Sequence, residues 1–167
     1  MHAIATPESL PAARRDVREP IAHRDVSPIV AAVDGTEASQ GVVDEAVRLG
    51  NDLDAPVVFV HVRRGPTSLF GEPVYQQRLT KKMARARRTL ERAVAAAARA
   101  GVPAEGEILE GSPTTRIREF ARDRGARLVV VGSRKRRLGR SVSSGLLRSA
   151  ERPVVVARSR RRLAVAG

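Results

Sequence analysis

Short, nearly unbroken apolar runs alternate along this chain with segments whose apolar residues recur at helical spacing, and few folds accommodate that alternation. Pro28 to Val33 is a short β-like run. Ala38, Val42, Val43, Ala46, Leu49 and Leu53 follow at helical spacing. Pro56 to Val62 is almost wholly apolar, as a strand buried on both faces of a parallel sheet must be. Residues 63–74, with Gly65, Pro66, Gly71 and Pro73, read as a loop. A long helix comes next, with Leu79, Met83, Ala86, Leu90, Ala93, Val94 and Ala97 as its apolar stripe, and Gly101 and Pro103 end it. Its other faces carry Lys81, Lys82, Arg85, Arg87, Arg88 and Arg92, which read as solvated surface.

The second half repeats the pattern. Glu105 to Leu109 is a weaker strand placed towards an edge. Ser112 suits a helix N-cap and Pro113 the first helical turn, with Ile117, Phe120 and Ala121 turned inward. Leu128 to Val131 is the most apolar strand. Gly132 to Arg140 is a basic loop, Ser141 to Ala150 a short helix with Val142, Leu146 and Leu147 inward, and Pro153 to Ala157 a final strand. Strands and helices in strict alternation predict a Rossmann-like three-layer α/β/α fold with a five-stranded parallel sheet and right-handed crossovers. Ligands of such sheets bind beyond the carboxyl ends of the strands, where strand order reverses. Asp34, Val62 and Gly132 all stand at such ends.

Composition narrows the function classes. A length of 167 residues favours one domain. The absence of cysteine excludes disulfides, thiolate metal sites and cysteine nucleophiles. No run of about 18 apolar residues offers a membrane span, and the polar, charged N-terminus lacks a signal pattern. Residues 1–26 read as a mobile leader, 27–158 as the folded domain and 159–167 as a basic tail. The net charge of +13 favours phosphate ligands, nucleic acid or anionic surfaces. Three Phe, one Tyr and no Trp leave little for stacking bases of a single strand.

Few residues could carry chemistry. The Asp34 carboxylate, in Val33-Asp34-Gly35-Thr36, can accept hydrogen bonds from a sugar or an exocyclic amine, or it can serve as a turn or N-cap residue. Gly132 to Ser141 joins a strand to a helix, and backbone N–H groups at a helix start can hold phosphate. It is neither a Walker loop nor the dinucleotide fingerprint. His2, His23 and His61 do not cluster, and His61 reads as a satisfied core histidine. No nucleophile–base–acid arrangement, metal-binding pair or carboxylate pair stands out. Glu119 and Asp123 are accounted for by i,i+4 surface pairing with neighbouring Arg residues. Metal ligands are not expected.

Four stretches together resemble the universal stress protein family: Val33-Asp34-Gly35-Thr36, Val60-His61-Val62, Gly111-Ser112-Pro113, and the C-terminal set of Leu128 to Arg134, Ser141-Val142-Ser143 and Pro153 to Val156. The resemblance covers about residues 27–158. It implies an adenine nucleotide α-hydrolase-like fold and a non-enzymatic, cytoplasmic stress-response protein. It further implies a homodimer paired through Pro153 to Ala157, with ATP or AMP as the cofactor. Ala32, Asp34 and Val62 would contact the nucleoside, and Gly132, Arg134, Ser141, Val142 and Ser143 would line the phosphate region.

The family's ATP-binding members carry Gly, two residues, Gly, nine residues, then Gly followed by Ser or Thr. Gly132 supplies the first glycine, but Lys135 stands in place of the second. Alignment on the final strand puts Arg140 in the third position and leaves the loop about five residues short. Alignment by distance from Gly132 puts Gly145 there, followed by Leu146. The first keeps Ser141 and is preferred. Cationic side chains could then take over phosphate contacts from the lost glycines. The alternative is a basic module that binds nucleic acid or a protein partner without nucleotide, using Arg134, Lys135, Arg136, Arg137, Arg140 and the tail from Arg158 to Arg162.

Overall fold

A computed structural model describes residues 26–36, 38–64, 72–133, 141–149 and 151–158, with the side chains of 38 and 72–79 left out. The elements are β1 (Ile29–Ala32), α1 (Ala38–Asp52), β2 (Val57–Arg63), α2 (Glu72–Arg99), β3 (Ala104–Glu110), α3 (Pro113–Asp123), β4 (Leu128–Gly132), α4 (Val142–Ser149) and β5 (Val154–Ala157). The expected leader and tail, and most of the basic loop, lie outside the described residues.

All strands pair in parallel, in the order β3-β2-β1-β4-β5. The most apolar runs take the middle because a central parallel strand is covered on both faces. In β1, Ile29, Val30 and Ala31 have no exposure. Strand alternation sends Ile29, Ala31, Val57, Phe59 and Val130 towards α1 and α2, where they meet Val42, Ala46, Leu90, Ala93 and Ala97. Val30, Val58, Val60, Val129 and Val131 point the other way, onto Ile117, Ala121 and Leu146 of α3 and α4. Phe59 is fully enclosed, so truncating it to Ala costs about 3–5 kcal/mol.

Several local readings need correction. The segment 63–74 is not all loop: β2 runs through Arg63 and α2 begins at Glu72. Pro73 is tolerated there because the first helical turn lacks intrahelical N–H partners in any case. Ser112 occupies the N-cap of α3 with extended backbone, and Pro113 follows, but the Ser112 hydroxyl makes no cap bond. Leu147 is 60% exposed rather than inward. A single buried stripe on the eight-residue α4 holds Ser143 and Leu146, and Leu147 lies about 100° further round. Glu119 pairs with Arg116 at i,i+3 and Asp123 with the adjacent Arg122, not at i,i+4.

Candidate functional site

Sheet order reverses between β1 and β4, since β2 and β3 lie on one side of β1 and β4 and β5 on the other. A cleft of ≈ 190 Å³ opens at the carboxyl ends of these strands. Ala32, Asp34, Val62, Gly132, Ser141, Val142 and Ser143, chosen from sequence, all line it. Arg134 lies outside the described residues. The sequence reading missed Ser39, Arg64, Pro113 and Ile117, which also face the cleft. Arg64 was detectable: two residues beyond Val62, it falls on the same side of the strand. Pro113 and Ile117 arrive from α3, and only tertiary structure brings them there.

One rim is the turn after β1. The Asp34 Oδ1 accepts hydrogen bonds from the Thr36 N–H (3.0 Å), the Thr36 hydroxyl (2.5 Å) and the Ser39 hydroxyl (2.7 Å). The Ser39 hydroxyl oxygen in turn accepts from the Asp34 N–H (2.9 Å). Ser39 is buried in the first turn of α1, so the carboxylate is fixed to both strand and helix. Asp34 therefore closes a turn and faces the cleft at once. Gly35 makes the turn feasible, with φ at 74° and no side chain to strike Thr89 of α2.

The opposite rim is the mouth of α4. Ser141 caps it: its Oγ accepts from the Ser144 N–H at 3.1 Å, and the Gly145 N–H donates to the Ser141 carbonyl at 2.9 Å. That leaves the N–H groups of Val142 and Ser143 without intrahelical partners at a helix start, where partial positive charge favours an anion. The Ser141 Oγ lies 3.0 Å from the hydroxyls of both Ser143 and Ser144. Gly145, the alternative third glycine of the phosphate pattern, sits inside α4 against Thr114 of α3 and serves packing there.

The cleft thus has an anchored carboxylate on one side, a helix start offering donors on the other, and apolar walls from Val60, Val62, Val131 and Ile117 between them. His61 is not part of it. Strand alternation turns the half-buried ring away from Val60 and Val62, onto the α1/α2 side. Its Nδ1 is buried without a hydrogen-bond partner among the described residues, so it is not the satisfied histidine expected. Burial pushes its pKa below the ordinary 6.5; the Val33 backbone and Asp34 pull the other way, and Arg85 adds to the lowering. Among the described residues no group of His, Asp and Glu could hold a metal ion. No helix among them is long and apolar enough to cross a membrane.

A five-stranded parallel sheet, helices on both faces and a cleft at the reversal point define a doubly wound α/β protein. A model of the universal stress protein family matches residues 26–158, and the chain belongs to that family. It is 31% identical over 115 residues to universal stress protein YxiE of Bacillus subtilis (strain 168), spanning 64% of this chain and 78% of that protein. A universal stress protein family structure from Burkholderia pseudomallei is 28% identical, with a TM-score of 0.66 over 80% of this chain and 97% of that one. The Archaeoglobus fulgidus universal stress protein in complex with dAMP is 27% identical, with a TM-score of 0.63 over 78% of this chain and 97% of that one. The fold is the adenine nucleotide α-hydrolase-like form of the doubly wound sheet.

Proposed function

We propose that the cleft binds an adenine nucleotide, ATP or AMP, and that the protein is a non-enzymatic stress-response regulator of the cytoplasm. The observation that carries this reading is the pairing, across one cleft at the reversal point, of the anchored Asp34 carboxylate with the open start of α4. Asp34 can accept from a ribose hydroxyl or exocyclic amine, and Ala32 and Val62 can line the base. The N–H groups of Val142 and Ser143, with the Ser141 and Ser143 hydroxyls, suit a phosphate beside Gly132. The volume, about six waters' worth, suits a base-sized group with the phosphates at the mouth. The dAMP-bound relative supports the same choice of ligand. Arg134 belongs to the proposal as a direct phosphate contact replacing the lost glycine backbone.

Isothermal titration with ATP, AMP and cyclic AMP tests it, after removal of any co-purified nucleotide. We expect saturable binding that Asp34→Ala abolishes while the thermal midpoint shows the variant still folded. Binding unchanged in Asp34→Ala would displace the site. Mass spectrometry after incubation with ATP tests the regulatory role, and multiple turnover would make the protein an enzyme.

We also read β5 as the seam of a homodimer, from Pro153 to Ala157. The two sheet edges differ: β3 carries Glu105, Glu107 and Glu110, whereas Val154, Val155 and Val156 of β5 are half-buried and bear no charge. An apolar edge without charges invites pairing. Val155→Arg should convert the dimer to a monomer in sedimentation, and a monomeric wild type would remove this assignment.

A further inference from the structure

The solvent face of α2 carries an organised charge. Lys81, Arg85, Arg88, Arg92 and Arg99 are all exposed. At 3.6 residues per turn they fall within about 60° of arc, opposite the buried Ala86, Leu90, Ala93 and Ala97. They run along about 27 Å of helix. Elsewhere some exposed Arg residues pair with carboxylates, Arg48 with Glu45 and Asp52, Arg116 with Glu119 and Arg124 with Glu105, whereas Arg127, Arg148, Arg152 and Arg158 make no ion pair among the described residues and are scattered rather than aligned. Among the described residues no ion pair involves any member of the stripe. Glu91 stands at i,i+3 from Arg88, about 60° round the helix, but no ion pair joins them. Like charges at i,i+3 and i,i+4 destabilise a helix, so this arrangement opposes its own fold until a counter-charge covers it.

We propose that this stripe docks the phosphate backbone of duplex nucleic acid, separately from the nucleotide cleft. Four of its five cations are Arg, whose planar fork matches phosphate oxygens. A straight row of cations meets phosphates throughout its length, because each strand presents one every ~3.4 Å of duplex axis. Other occupants fit less well. An interfacial helix needs large apolar residues to enter a lipid surface, and the exposed large hydrophobic among the described residues is Leu147, on α4. Single strands need aromatic platforms, and none lies between Lys81 and Arg99. Contacts of this kind position a protein on a duplex without reading its bases.

Fluorescence polarisation with a labelled DNA duplex of random sequence, from about 50 to about 200 mM salt, is the test. Five phosphate contacts predict that log K falls against log salt with a slope of about −4.5. Arg85→Gln, Arg88→Gln and Arg92→Gln together should bring the slope to about −2 and weaken binding at the lowest salt at least ~10-fold. A control removes the same charge elsewhere, through Arg118→Gln, Arg148→Gln and Arg152→Gln, and should change affinity less than ~2-fold. Equal weakening in both triples would make the attraction diffuse and overturn the assignment. So would absence of duplex binding by the wild type, or stripe-dependent binding to phosphatidylserine vesicles without binding to the duplex. None of these outcomes bears on the cleft, whose titration with AMP is independent.

Discussion

The two rims of the cleft are fastened to the helices in the same way and with opposite tolerance. Each is pinned where a glycine meets a threonine of another helix. At the β1 rim, a Cβ on Gly35 would lie 2.7 Å from the Thr89 Oγ1 of α2. At the α4 rim, a Cβ on Gly145 would lie 2.8 Å from the Thr114 Oγ1 and 3.0 Å from its Cγ2, on α3. Gly35, however, has φ at 74°, in the left-handed region, while Gly145 sits in a helix. The β1 rim is therefore locked by backbone conformation as well as contact, and the α4 rim by contact alone. A pocket built this way has one fixed wall, carrying the carboxylate, and one wall that can be reset by a single side chain.

Gly35→Ala should show the largest effect. The left-handed backbone costs an alanine about 1–2 kcal/mol, and the Thr89 contact adds to it, for a total of about 2–3 kcal/mol. Chemical denaturation measures it. Adding Thr89→Ala should recover the contact part and leave the backbone part. Complete recovery would mean that the turn is not conformationally locked, and the contrast between the rims would disappear.

Next comes Ser141→Ala, at the other rim. Loss of the cap to the Ser144 N–H should cost about 1 kcal/mol of stability, and should weaken ATP binding because the helix start frays where phosphate is expected. Gly145→Ala is the sharper probe because its sign is set by one neighbour. A helix gains up to ~1 kcal/mol from Gly to Ala, and the clash with Thr114 offsets it, leaving a change near zero. In a Thr114→Ala background the same substitution should stabilise by about 0.5–1 kcal/mol. Destabilisation in both backgrounds would mean that something besides Thr114 demands glycine there.

The rims also differed in how far sequence alone revealed them. Val33-Asp34-Gly35-Thr36 forms its turn from neighbours in the chain, so an Asp-Gly step after an apolar strand was enough to place Asp34. The same locality explains why the alternation of strands and helices, the parallel pairing it implies and the position of Val62 were legible, whereas the strand order was not. Ser39 escaped notice because its bond to Asp34 crosses from strand end to helix, although both lie within one βα unit. Pro113 and Ile117 escaped because α3 reaches the cleft only once the sheet is assembled. The α4 rim was harder still, since Arg140 and Gly145 competed for one position. Gly145 resolves into packing against Thr114, a contact with a helix about thirty residues earlier that no local pattern encodes. The stripe on α2 is a mixed case. Its spacing stands in the sequence, but that no ion pair among the described residues involves it is a property of the folded surface.

The smallest expected effect again separates the rims, because among the described residues the histidine, His61, lies beneath the β1 side. His61 prefers its neutral form in the folded protein, its pKa lowered chiefly by burial, while the unfolded chain takes up a proton at the ordinary value near 6.5. Below that value the unfolded state binds more protons than the folded one, so stability falls as pH drops from about 6.5 until the lowered folded value is passed. Above it the histidine contributes no pH dependence. Asp34 and Arg85, its charged neighbours, act in opposite senses, which leaves burial as the deciding influence. His61→Gln should abolish this part of the profile and leave the carboxylate-driven part intact. Unfolding free energies of both proteins, measured from pH 5 to 8, should therefore differ by an amount that changes with pH only below about 6.5. A difference that stays constant through that window would place the ring in solvent contact, and the unpartnered Nδ1 would lose its significance.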